Sequence, residues 1–324
     1  MNTETTEIDV METNPLENNL IETSGLKTEK RLRLHAHVLQ TKDESGLQYL
    51  EVDNPLCTAK IALQGAHVMH WQPKFLQDPV LWLSSNARFV KGRSIRGGVP
   101  ICWPWFGAHP TDSTFCPHGF ARVIPWRVID VDSTATGATR IMLEMMETEE
   151  AKRQLSYPYA LTITITVGRR LRVDMSTTNK ADHPFVIGEA FHTYLNVSDI
   201  SNVKITGMQD CVYADKILKY QRHVEHNALK FDGEFDRVYI DHSSDCTVHD
   251  VGFNRLIHIS KSGSDTTVVW TPGEEKAAQM TDMGEPDEWR KTVCVETTNA
   301  LDNMVVINPG RTHVISAEYV IETL

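Results

Sequence analysis

The segment Leu161-Thr162-Ile163-Thr164-Ile165-Thr166-Val167 alternates without a break between aliphatic and threonine side chains. A period of two over such a run sends every aliphatic residue to one face and every threonine to the other, the pattern of a half-buried β-strand. Gly168-Arg169-Arg170 interrupts it, and Leu171-Arg172-Val173-Asp174-Met175-Ser176 then alternates again. Two such runs around a glycine-containing turn predict an antiparallel hairpin with one apolar face. The same period recurs outward from this hairpin. Arg31-Leu32-Arg33-Leu34 alternates, with 46–53 as its expected hairpin partner. Further short strands are expected at 66–71, 79–83, 126–132, 139–146, 203–206, 256–260, 267–270, 293–297 and 314–321. Helical signals are confined to a turn or two at 148–154 and at 285–290. Many short strands with little helix predict an all-β protein of antiparallel sheets, a sandwich or a barrel.

The chain has 324 residues, of which 41% are hydrophobic, enough to bury a sizeable core. Residues 1–30 stand apart: seven acids, two bases and no aromatic residue. That composition reads as a disordered acidic tail, leaving 31–324 as a single domain. A net charge of −11 argues against nucleic acid as a partner. It does not exclude a phosphorylated small molecule, because arginines can cluster locally in an acidic protein. No run of about 18 apolar residues is present, so no membrane span is expected. The six cysteines form no CxxC pair, and a reduced, cytoplasmic protein is the expectation.

Residues 93–122 hold a second kind of signal. Arg93 and Arg96 lead into Gly97-Gly98, then Trp103, Trp105 and Phe106 with Pro100 and Pro104 between them, and the segment closes on His118-Gly119-Phe120-Ala121-Arg122. Prolines so close together exclude helix and disfavour a central strand. The glycine pair permits backbone conformations closed to other residues. The loop fits a small polar ligand, with aromatics for flat faces and cations for an anionic group; equally, its aromatics fit a core.

Two titratable residues further on share this ambiguity. In Gly188-Glu189-Ala190-Phe191-His192-Thr193-Tyr194, a strand would turn His192 to the same face as Tyr194. Taken alone, His192 fits a hydrogen-bonded structural histidine as well as a reactive one. Glu296 follows the apolar run Val293-Cys294-Val295. A carboxylate buried there is either paired or functional. Asp236, after Gly233-Glu234-Phe235, fits a turn residue or a ligand contact. Asp287-Glu288-Trp289-Arg290 reads as a surface helix held by its own charges.

Ser94-Ile95-Arg96-Gly97-Gly98-Val99-Pro100, Trp103-Pro104-Trp105-Phe106-Gly107, His118-Gly119-Phe120-Ala121-Arg122, Phe191-His192-Thr193-Tyr194 and Val293-Cys294-Val295-Glu296 occur in the order seen in the glucose-6-phosphate 1-epimerases, which the chain resembles from about residue 31 to its C-terminus. These are hexose-6-phosphate mutarotases akin to galactose mutarotase. The resemblance implies an antiparallel β-supersandwich with a few short helices, no metal and no cofactor. It implies His192 as general acid and Glu296 as general base. His118 and Asp236 match sugar-contacting positions, and Arg96 and Arg122 match those thought to take the phosphate. Arg93 is a second-rank candidate. Three positions depart from the common pattern: Pro117 where some relatives have glutamine, Thr271 in place of the asparagine of Trp-Asn-Pro, and Arg93 in place of lysine.

The implied chemistry suits these residue types. Interconverting anomers requires a base at the O1 hydroxyl and an acid at the ring oxygen. Glutamate, with a reference pKa of ~4.3, and histidine, ~6.5, can play these parts near neutrality. Arginine forks match phosphate oxygens bidentately. The expected partner is a small hexose phosphate, with no nucleic acid, no membrane and a monomeric state. Two other classes remain open: a non-catalytic carbohydrate-binding sandwich, or an epimerase for unphosphorylated hexoses. A metal enzyme ranks below both, since the one His-x-His, His35-Ala36-His37, has no nearby glutamate to complete a cluster.

Overall fold

The computed structural model describes residues 20–21 and 31–324. The expectation of a disordered tail therefore falls almost wholly outside the described residues; Leu20–Ile21 pairs as a two-residue strand beside Arg31–His35. Every pairing between named strands is antiparallel, in three large sheets and one two-stranded ribbon.

The hairpin of Tyr159–Val167 and Arg170–Asn179 lies in the interior of an eight-stranded sheet, flanked by Thr139–Met145 and Thr312–Thr323. Leu161 pairs with Thr177 and Val167 with Leu171, so the aliphatic sets of both strands share one face. That face is buried and the threonine face is half-buried, as the alternation requires. A six-stranded meander, ending in Cys57–Ala62 and His67–Pro73, packs its apolar side into the same core. A second eight-stranded sheet carries Phe235–Tyr239, Thr266–Thr271 and Thr292–Asn299 side by side at its centre.

Three sequence expectations need correction. The partner of Arg31–His35 is Val38–Lys42, a strand the reading passed over; Gln48–Asp53 pairs with the far side of that strand. Val38–Lys42 has only two fully buried residues, so its alternation is weak. Residues 79–83 make single bridges at Leu81 and Leu83 instead of a strand. A helix at Gly273–Gln279 was not anticipated; it buries only Gly273 and Ala277 and has no apolar period to read. Helix Glu149–Gln154, capped by the Thr148 hydroxyl, and the short 3-10 turn Glu288–Lys291 are where they were expected. The latter is not held by its own charges: Arg290 pairs with Asp199, Glu288 binds Ser85, and Trp289 is buried.

The 93–122 loop serves the core more than a surface. Trp103, Trp105 and Phe120 are buried together. Trp103 Nε1 donates to Thr177 Oγ1 at 3.1 Å, and Trp105 Nε1 to the Cys116 carbonyl at 3.1 Å. Gly97 and Gly98 both have positive φ, 108° and 63°. A Cβ on Gly98 would strike the Val68 carbonyl oxygen, and one on Gly97 the Trp82 carbonyl. The glycine pair lets the loop lie against two neighbouring segments of backbone, and its close approach is to protein.

Within the second eight-stranded sheet, Glu189, which pairs with Asn299, is fully buried. Its Oε1 lies 2.7 Å from His313 Nε2 and accepts from Asn299 Nδ2 at 2.9 Å. The bond to Glu189 raises the pKa of His313 against an opposing desolvation by burial. A histidine whose folded pKa is raised contributes stability that is fully present below its unfolded value of ~6.5 and is lost as pH rises through the folded value. His313→Ala should therefore cost ~1–3 kcal/mol. The melting-temperature gap to the parent should be wider near pH ~6 than near pH ~9. Denaturation of both proteins across that range checks it; a gap that widens with pH would reverse the assignment.

Candidate active site

Strand Thr292–Asn299 is paired on one side by two short strands instead of one. Glu189–Phe191 pairs with residues 297–299, and Tyr194–Asn196 with residues 292–294. Between them the ladder is broken at His192 and Thr193. The His192 N–H turns away to the Pro100 carbonyl at 3.0 Å, and the Thr193 carbonyl accepts from Val295 N at 3.2 Å. The Thr193 hydroxyl points into the core, 2.6 Å from Tyr319 Oη. This interruption sets the His192 imidazole against Glu296, with Nε2 3.4 Å from Oε1. The sequence put the two on separate strands, and the fold brings them into contact.

Both groups are deep. Glu296 is 1% exposed and its Oε2 has no hydrogen-bond partner; His192 Nδ1 likewise has none. Burial pushes the Glu296 carboxyl well above the usual range, and the nearby Asp236 adds to this. Burial also pushes His192 well below its ordinary value, with the positive field of its neighbours acting the same way. The His192 ring stacks on Tyr194 at 4.9 Å, as the shared strand face predicted, and Trp270 meets both rings edge-on.

His118 lies beside His192, ring centroids 5.5 Å apart. It is held at a positive φ of 68°, with its N–H on the Gly107 carbonyl and its Nδ1 accepting from Gly107 N. With Nδ1 occupied as acceptor, the neutral ring carries its proton on Nε2 and can donate there. Burial, then Arg122, Lys216 and Arg96, push its pKa down to about 3, so it stays neutral. Asp236 is not a turn residue. It sits on strand Phe235–Tyr239, nearly buried, and pairs with Lys216 Nζ at 3.0 Å.

The two arginines differ. Arg96 is tied on both sides, Nη1 to the Tyr194 hydroxyl at 2.7 Å and Nη2 to Asp282 at 3.2 Å. Arg122 donates from Nη2 to the Pro117 carbonyl at 2.6 Å. Among the described residues it forms no salt bridge, and its charge is felt by His118, His192 and Glu296. Neither pairs with Asp112 or Asp236. Arg93 is exposed, and its carbonyl is held by Gln64 Nε2. The departure Thr271 leaves a buried hydroxyl without a partner.

Sequence reasoning missed Lys216, Asp282 and Cys294 as neighbours of the site. Lys216 follows the turn-forming Asp215, whose carboxylate caps Ile217 N and Leu218 N, and a lysine in such a turn gives no distinguishing signal. Cys294 could have been found, since it stands two residues before Glu296 on the same strand face. Of the loop aromatics, which the sequence left open between ligand and core, Trp103 and Trp105 belong to the core, and Phe106 touches His118.

These contacts predict different stabilities for two substitutions. Arg96→Ala leaves the Tyr194 hydroxyl and Asp282 unpaired and should destabilise by ~1–3 kcal/mol. Arg122→Ala removes one bond to a carbonyl and should stay within ~1 kcal/mol of the parent. Urea denaturation of both variants reads the difference; equal losses would contradict it.

The profile described as "Aldose 1-epimerase" matches residues 48–319. An Escherichia coli (strain K12) protein, provisionally named glucose-6-phosphate 1-epimerase, is 35% identical over 279 residues, covering 85% of this chain and 91% of that protein. The crystal structure of a provisionally identified mutarotase from Salmonella typhimurium superposes with a TM-score of 0.84 at 29% identity, covering 94% of this chain and 97% of the other. A galactose mutarotase-like protein from Clostridium acetobutylicum shares the fold at a TM-score of 0.68 and 13% identity, over 89% of this chain and 98% of its own.

Proposed function

Since the chain belongs to the aldose 1-epimerase family and has the galactose mutarotase-like antiparallel β-supersandwich, we propose that it interconverts the α and β anomers of a hexose 6-phosphate, glucose 6-phosphate first. The contact between His192 and Glu296 carries this reading. Unlike the buried Glu189–His313 pair, which Asn299 also ties down, the His192–Glu296 pair stands beside His118 and in the field of Arg122, company that a structural pair has no need of.

In the proposed reaction Glu296 takes the proton of the O1 hydroxyl while His192 gives one to the ring oxygen, so the bond from C1 to the ring oxygen breaks and an aldehyde forms. Rotation about C1–C2 presents the other carbonyl face. Glu296 then returns its proton to O1, His192 recovers one from the ring hydroxyl, and both groups are regenerated. The pKa shifts of the two groups favour an uncharged pair at rest. The carboxylate and imidazolium that react are its minor ionised form, reached by moving the Glu296 proton to His192 across their contact. In that form Glu296 is a stronger base than free glutamate and His192 a stronger acid than free histidine. His118 Nε2 and Asp236 serve as donor and acceptor for sugar hydroxyls. Arg122 is the first candidate for the phosphate because its charge has no carboxylate counter-ion among the described residues. Arg96 is held by Tyr194 and Asp282, and the exposed Arg93 is a second-rank candidate. We read residues 31–324 as the catalytic domain, appended to the tail of 1–30. Six free thiols fit a reduced, cytoplasmic protein, and we take it to act as a monomer.

Anomer exchange measured by NMR on glucose 6-phosphate tests the chemistry. Glu296→Gln and His192→Ala should each lower the rate by ~10²–10⁴-fold while folding normally. A folded variant with near-parental exchange would falsify the pair. The same assay on glucose and galactose tests the substrate. Arg122→Ala should weaken use of glucose 6-phosphate by ~10–150-fold and barely alter any activity on glucose. Equal losses on both would point to an unphosphorylated hexose.

A further inference from the structure

Cys294 is fully buried beside His192 and Glu296, and nothing in the proposed reaction uses it. Cys294 and Glu296 are two apart on strand Thr292–Asn299 and share a face. With His192 they form a mixed set: a thiol sulfur, a carboxyl oxygen and an imidazole nitrogen, all within 4.8 Å of one another. The nitrogen and oxygen are 3.4 Å apart. Tetrahedral zinc, with bonds of ~2.0–2.1 Å to nitrogen and oxygen and ~2.3 Å to sulfur, places such ligands about 3.3–3.6 Å apart, so the Cys294 thiol closes by up to about an ångström on binding. Glu296 is 1% exposed, and its Oε2 is buried without a partner, as is His192 Nδ1. His192 Nε2 and Glu296 Oε1 have the spacing an ion asks for, and the second carboxyl oxygen, Oε2, is buried with no competing hydrogen bond to hold the group away from one.

We propose that His192, Cys294 and Glu296 bind a soft divalent cation such as Zn2+, which blocks the cleft against sugar. Three protein ligands and one open position, left for water, is the arrangement of an accessible zinc site. Thiolate and imidazole favour zinc over magnesium or calcium. Binding forms the sulfur–zinc bond as the thiol gives its proton to bulk water, and any proton on Glu296 leaves the same way. The cation then holds both lone pairs that the proposed reaction needs, so it acts as an inhibitor competitive with the hexose phosphate. The binding rests on geometry; the loss of turnover rests on the reading of His192 and Glu296 given above.

The full chain, stripped with a chelator and dialysed, should be titrated with Co2+ and separately with Zn2+. The expected results are a thiolate-to-cobalt charge-transfer band in the near ultraviolet, a single zinc retained per chain after dialysis, and anomer exchange that zinc suppresses and chelator restores. Mg2+ should do none of this. Cys294→Ala should lose the band, keep basal exchange, and need at least ~10–100-fold more zinc for inhibition, the loss typical of removing even an outer partner of a metal site. Cys294→Ser, nearly isosteric, gives the same reading if the alanine variant folds poorly. Cys116→Ser, at the exposed thiol, should keep the band. No band, or a band that survives in both Cys294 variants, would overturn the site. A Cys294-dependent band with exchange untouched by zinc would confirm the metal site and sink the catalytic reading of His192 and Glu296.

Discussion

The site depends on one interruption in a β-ladder. If the strand opposite Thr292–Asn299 ran unbroken, residue 192 would keep its hydrogen bonds in the sheet. Instead the chain pairs at Glu189–Phe191, leaves the ladder for two residues, and pairs again at Tyr194–Asn196. The backbone there finds partners, the His192 N–H on the Pro100 carbonyl and the Thr193 N–H on the Phe191 carbonyl, while the Thr193 carbonyl still takes the Val295 N–H. Buried backbone left unpaired would have cost too much for the break to persist. The Pro100 carbonyl is in place because Gly97 and Gly98 let the 93–122 loop approach Val68 and Trp82 more closely than any side chain would allow. Tyr194 N then closes on the Gly98 carbonyl. The glycine pair, the break and the His192–Glu296 contact are one construction.

That construction puts a carboxyl where charge is expensive. Glu296 has no lysine or arginine within ion-pair distance among the described residues, and its contact is an imidazole. The full charges stand one layer away, matched mostly among themselves. Lys216 answers Asp236, and Asp282 answers Arg96. Partly exposed pairs of this kind add little net stability. Each gives its acidic side chain a fixed partner beside the His192–Glu296 contact.

Much of this was legible in the sequence, and the reasons are physical. The Leu161–Val167 alternation is long, regular and flanked by a glycine turn, so strand, partner and buried face all followed from it. Val38–Lys42 lacks that contrast between faces, and the early hairpin was misjoined in consequence. Glu296 announced itself because a carboxyl among Val293, Cys294 and Val295 must be accounted for. His192 did not, since a lone histidine beside a tyrosine fits many cores; its meaning comes from a contact across 104 residues of chain. Lys216 was invisible for the opposite reason. Its neighbours in sequence form an ordinary turn, and only the fold carries its ammonium to Asp236.

The arginines show why residue type alone underdetermines a binding site. Arg96 and Arg122 bracket the same loop and look equivalent in the sequence. Arg96 is enclosed by a phenol and a carboxylate, so its charge is already answered and an anion arriving there would have to displace Asp282. Arg122 holds a carbonyl, which satisfies a hydrogen bond without neutralising a charge. Its field reaches His118, His192 and Glu296 undiminished by a nearby counter-ion. In a protein with a net charge of −11, Arg122 leaves a positive charge without a carboxylate partner among the described residues beside the His192–Glu296 pair. Anion recognition depends on that imbalance, not on the number of arginines, and the imbalance is set by which of the two finds an acid when the chain folds.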